Sequence, residues 1–86
     1  MGNLVHLPNI GIDTEKQLQL IGVNSYDELK ALGAEQAWLK LQKIDESACL
    51  HRLLGLEGAI QGMRKNLLSE ERKAELKEFY NIHKII

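Results

Sequence analysis

Eighty-six residues, 44% apolar, 27% charged and 5% aromatic, set the size of one small domain with one modest core and little room for a deep enclosed active site. Eleven Lys and Arg against twelve Asp and Glu give a net charge of −1, unlike the basic balance of strong polyanion binders, and no apolar run approaches the ~18 residues that span a bilayer. The first six residues lack the features of a signal peptide and the Ser or Thr that a myristoylation pattern needs, and the single cysteine, Cys49, suits a reducing cytoplasm.

The helix signals are regular along the chain, and five helices are expected. The first spans about 14–21, because Thr14-Glu15-Lys16-Gln17 fits a capping box and Gly22 suits the left-handed residue after a helix. The second spans 26–32, opened by Ser25-Tyr26-Asp27-Glu28 and stopped by Gly33. The third, 34–43, places Ala34, Ala37, Trp38 and Leu41 on one face. The fourth, 46–63, carries two apolar stripes, one of Leu50, Leu53, Leu54 and Ile60 and one of Cys49, Leu56, Ala59 and Met63. A helix apolar on two sides is central and covered on both, so Leu53 and Leu54 are expected to be nearly inaccessible. Gly55, Gly58 and Gly62 each cost that helix ~1 kcal/mol relative to alanine, and their spacing suggests a close-packing or partner-docking face. The fifth, 70–82, starts at Ser69-Glu70-Glu71-Arg72. No segment has the period-2 pattern of a strand. The expected fold is all-α.

No catalytic, metal-binding or cofactor-binding residues are expected, and the chain does not read as an enzyme. His6, His51 and His83 are far apart. Cys49 and His51 would project roughly 200° apart on one helix and so could not share a ligand; Cys49 reads as a small buried apolar group. No two-plus-two Cys/His pattern, HExxH, P-loop or dinucleotide GxGxxG is present. Asp45-Glu46 and Glu70-Glu71 are both expected at helix starts, where the dipole favours acids.

Leu7-Pro8-Asn9-Ile10-Gly11, followed by a helix, Ile21-Gly22-Val23 and a second helix, resembles the helix-hairpin-helix group of nucleic-acid-binding motifs. Such a turn can aim backbone amides at a phosphate oxygen. Asn9 stands where that group has glycine, and asparagine tolerates the left-handed conformation. Asn9, Ile10, Gly11 and Lys16 are the candidate phosphate-binding residues, and a purely structural turn is the alternative. The local charge opposes nucleic acid: residues 4–33 hold Lys16 and Lys30 against Asp13, Glu15, Asp27 and Glu28.

A longer match runs through Thr14-Glu15-Lys16, Asp27-Glu28-Leu29-Lys30-Ala31-Leu32-Gly33-Ala34, Ala48-Cys49-Leu50, Leu53 to Gly62 and Leu67 to Lys73. It resembles the C-terminal domain of the TfoX (Sxy) family, bacterial regulators of competence genes. The resemblance implies one helical domain over 1–86 with a helix-hairpin-helix-like N-terminal half, without the separate N-terminal domain of full-length members. It also implies a part in activating DNA-uptake genes alongside the cAMP receptor protein. The expected function is a regulatory module that binds another protein, with weak nucleic-acid binding as the alternative. No membrane association is expected. The apolar end, Phe79 to Ile86, is expected to fold back over Leu4 and Val5 or to meet a second copy in a weak homodimer.

Overall fold

The computed structural model describes residues 4–84. It is all-α: α1 is Ile12–Leu20, α2 Tyr26–Leu32, α3 Ala34–Ile44, α4 Leu50–Gln61 and α5 Glu70–His83, with short 3-10 turns at Leu4–His6 and Lys65–Leu67. No strand occurs among the described residues, and no helix there is long and apolar enough to cross a membrane.

The caps explain most of the boundaries. Ser25 Oγ accepts from the Glu28 amide and Ser69 Oγ from the Arg72 amide, each satisfying an amide that the first helical turn leaves open. Gly22, Gly33 and Gly62 all have positive φ, so each helix that they follow is stopped by a residue free of the Cβ penalty.

α4 is the centre. It packs on α3, α5, α2 and the Lys65–Leu67 turn, and Leu53, Leu56 and Ala59 are fully buried beside Trp38 and Leu41 of α3, Leu18 of α1, Leu29 of α2 and Leu76 of α5. Trp38 joins the parts. Its indole N–H donates to the Cys49 carbonyl at 3.2 Å, and Phe79 and Tyr80 meet its ring edge-on, with centroids 6.2 and 5.6 Å away.

One charged cluster ties three helices. Arg72 of α5 donates both terminal nitrogens to the Glu35 carboxylate of α3 at 2.9 Å, and one of them also to Glu57 of α4 at 2.9 Å. This forked pairing uses the planar geometry that only guanidinium offers. It holds the Glu35 carboxyl below its usual range, chiefly through the Arg72 hydrogen bonds and against some desolvation.

Several local expectations are corrected. α1 begins at Ile12 with Gly11 as its extended N-cap, so Thr14 lies inside the helix and caps nothing. α4 begins at Leu50 rather than residue 46. Asp45 instead ends α3 and folds a turn, its Oδ1 accepting from the Ser47 amide and hydroxyl; an Asx turn has outcompeted the helix start there. Asp45 and Glu46 are therefore not first-turn acids, whereas Glu70 and Glu71 are. Cys49 is exposed rather than buried, because it is the extended residue before α4 and not part of its apolar stripe. Leu54 is only half-buried, unlike Leu53. Gly62 is the left-handed residue that ends α4, not part of the helix face. At the apolar end, Phe79 and Tyr80 pack on Trp38 of α3 while Ile82 is exposed. Ile85 and Ile86 lie outside the described residues.

Candidate functional site

The turn before α1 and the glycines of α4 meet in one place. Asn9 has φ +68°, the left-handed conformation that asparagine tolerates better than other non-glycine residues. That backbone directs its carboxamide at α4. The amide donates to the carbonyls of Gly55 at 3.3 Å and Met63 at 3.0 Å, and the side-chain oxygen accepts from the Lys65 amide at 3.2 Å. Three strands of backbone are thereby joined by one side chain.

Gly55 and Gly58 make room for it. A Cβ on Gly58 would lie 2.5 Å from the Asn9 amide nitrogen and 2.7 Å from the Met63 carbonyl oxygen; one on Gly55 would lie 3.3 Å from the Asn9 Cβ. A Cβ on Gly62 would meet nothing within 4 Å. The backbone that approaches this face is a turn of the same chain, not another helix. Ile10 is buried, while Gly11 and Lys16 are exposed. Among the described residues the hairpin follows the short 3-10 turn Leu4–His6. The Glu15 carboxylate is committed within this segment as well, accepting from the Val5 amide at 3.0 Å.

Beside the clasp lies a cavity of about 210 Å³, lined by Asn9, Ile10, Thr14, Cys49, His51, Arg52, Gly55, Leu56 and Lys65. Cys49 and His51 share it, contrary to the helical-wheel expectation, because Cys49 precedes the helix on which His51 sits. Arg52 is held in place by residues outside the lining: its guanidinium donates to the Gln17 side-chain oxygen and lies 3.6 Å from the Asp45 carboxylate. Gln17 donates in turn to that carboxylate at 3.1 Å, and hydrogen bonds from Ser47 and Gln17 hold Asp45 below its ordinary pKa. The lining contains no carboxylate. Among the described residues no three His, Cys, Asp or Glu side chains gather as a metal site would require.

Sequence reasoning missed Thr14, His51, Arg52 and Lys65. Thr14, the His51-Arg52 pair and Lys65 are far apart in the chain and share no motif; the one local signal was the asparagine standing in a glycine position. The charge count over residues 4–33 also missed that the fold brings Arg52 and Lys65 beside the turn.

The TfoX C-terminal domain family matches residues 1–80. Over 76 residues the chain is 34% identical to Protein Sxy of Escherichia coli and 32% identical to the DNA transformation protein TfoX of Haemophilus influenzae, covering 88% of this chain in each case. Those alignments cover 36% and 35% of the two relatives, so the chain spans about a third of their length. Two crystal forms from Listeria monocytogenes share the fold. The triclinic form, of an uncharacterized protein, superposes with a TM-score of 0.92 at 42% identity, covering 94% of this chain and 92% of that one. The tetragonal form, of a protein of unknown function, gives 0.88 at 41% identity, covering 91% and 96%. The helix order, the glycine-bearing central helix and these likenesses converge on one assignment: the chain belongs to the TfoX C-terminal domain family.

Proposed function

We propose that this domain is a non-enzymatic regulatory module of bacterial DNA transformation that acts by contacting another protein. The direction of Asn9 carries the reading. A hairpin that grips a nucleic-acid backbone offers its polar groups to phosphate, whereas here the carboxamide is spent on Gly55, Met63 and Lys65 and Ile10 is in the core. The turn so placed is a structural clasp, and the exposed first turn of α1 next to it carries Asp13, which repels a polyanion. The likeness to TfoX of Haemophilus influenzae supplies the link to DNA transformation.

A domain exchange tests this. The matching segment of Haemophilus influenzae TfoX is replaced by this chain, and transformation frequency is measured together with the level of the chimaera. Retention of most of the frequency, alongside no tight duplex binding by the isolated domain at physiological salt, is the expected result. A folded, abundant but inactive chimaera would refute the link to transformation. Nanomolar duplex binding would replace the protein-contact reading with the weak nucleic-acid alternative in a stronger form.

A further inference from the structure

We infer that the cavity between the Asn9 turn, α4 and the Lys65–Leu67 turn is a binding site for the phosphate group of a small phosphate monoester. Its charged lining is of one sign. Arg52 and Lys65 line it together with His51, Thr14 and Cys49, and no Asp or Glu does. Among the described residues the Lys65 ammonium and the His51 ring have no hydrogen-bond or ion-pair partner, the only polar contact of Lys65 outside its own turn being its backbone amide to Asn9.

Arg52 is preorganised rather than free. One terminal nitrogen is held by Gln17 and Asp45, which fixes the planar fork while leaving other N–H donors of the five for a ligand. The nearest carboxylate, Asp45, offsets part of the Arg52 charge but stands outside the lining. A fixed guanidinium with Lys65 and Thr14 around the same concave space matches an acceptor with several oxygens and two charges better than a planar carboxylate with one. Phosphate monoesters carry ≈ −1.5 to −2 charge at pH 7.

Size and shape restrict the rest of the ligand. About 210 Å³ is below the ~300–1,000 Å³ of pockets that enclose drug-sized molecules, so the phosphate and a few attached atoms fit while the remainder stays outside. Ile10, Gly55 and Leu56 form the apolar part of the wall and receive the first carbons of the ester. A nucleic-acid backbone must pass by a surface rather than end inside a hollow, and the exposed first turn of α1 carries Asp13.

The probes are inorganic phosphate and glycerol 3-phosphate, titrated into the ¹⁵N-labelled chain near neutral pH against chloride at matched ionic strength. Amide shifts are expected to saturate at Asn9, Thr14, Arg52 and Lys65 with both phosphates and not with chloride. Trp38, bonded to the Cys49 carbonyl at the cavity wall, is expected to change its fluorescence in step. Lys65→Met removes one charge and leaves the backbone amide that Asn9 uses, so it is expected to weaken binding about fivefold, the upper range of a solvent-accessible ion pair, with an unchanged melting temperature. His51→Asn serves as a second variant, with a smaller loss. Equal shifts in chloride, indifference to Lys65→Met, or a short DNA duplex that occupies the same residues at lower concentration than either phosphate would overturn the assignment.

Discussion

Gly58→Ala isolates the clasp. In a helix interior alanine is favoured over glycine by about 1 kcal/mol, so with nothing else nearby the change would stabilise α4. Here the new Cβ would lie 2.5 Å from the Asn9 amide nitrogen, 2.7 Å from the Met63 carbonyl oxygen and 3.2 Å from the Lys65 backbone nitrogen. The side chain of Asn9 could retreat, but the Met63 and Lys65 contacts are backbone and cannot. Forcing a methyl into such a space costs roughly 1–3 kcal/mol. Displacing Asn9 also removes three hydrogen bonds worth roughly 0.5–1.5 kcal/mol each, toward the low end because they lie near the surface. After the helix-propensity gain, the expected net loss is about 2–3 kcal/mol. For a domain of this size that lowers the melting temperature by roughly 8–24 °C. Gly55→Ala is the internal control: its Cβ would press only the Asn9 side chain, at 3.3 Å, and the propensity gain is expected to cancel most of the cost. Urea unfolding followed by Trp38 fluorescence and by circular dichroism measures both. If Gly58→Ala is neutral or stabilising, or if the two variants behave alike, the clasp does not constrain α4 as described.

Other expectations are independent of the clasp. Leu53→Ala is expected to cost ~2–5 kcal/mol because Leu53 is fully buried at the centre of α4; a denaturation midpoint that barely moves would misplace the core. The Glu35 carboxyl is held below its usual value by Arg72, so its contribution is present above the unfolded pKa and is lost as pH falls through the lower folded one. An acid titration of stability should then show a shallower loss below about pH 4.5 in Glu35→Gln than in the parent. Asp13→Lys is expected to strengthen any duplex binding by exchanging a repulsive charge for an attractive one beside the turn, which fluorescence titration at two salt concentrations would measure. Weak self-association through the α5 end, where Ile82 is exposed, is expected in sedimentation at high concentration; a pure monomer there would exclude it.

Helix order and the central place of α4 were legible in the sequence because both rest on local signals. Serine caps at 25 and 69, glycine stops at 22 and 33 and the Trp38 stripe act within a turn or two of chain. The start of α4 was not. Asp45 and Ser47 form a turn through their own side chains, and nothing in the spacing distinguishes that from a helix start. Asn9 was readable as a left-handed residue but not as a plug, since its partners lie at 55, 63 and 65. The cavity was invisible for the same reason. Its wall joins Thr14 to Arg52 and Lys65 only through tertiary packing, and the Arg72 tie to Glu35 and Glu57 is equally non-local.

The distance along the chain between the halves of the clasp has a consequence during synthesis. Asn9 and the Lys65 amide are 56 positions apart. At ~5–20 residues per second, the ribosome delivers the second half roughly 3–11 s after the first. Through that interval α1, α2 and α3 can form and α3 can pack on both α1 and α2, since all three are made before α4. The segment before α1 can meanwhile hold to α1 through the Val5 amide and Glu15, but the Asn9 carboxamide has no partners until Gly55, Met63 and Lys65 arrive. The Asn9 half of the clasp is thus made well before the clasp can close, and the interval in which it stays open is set by translation speed rather than by the folding rate of the finished domain.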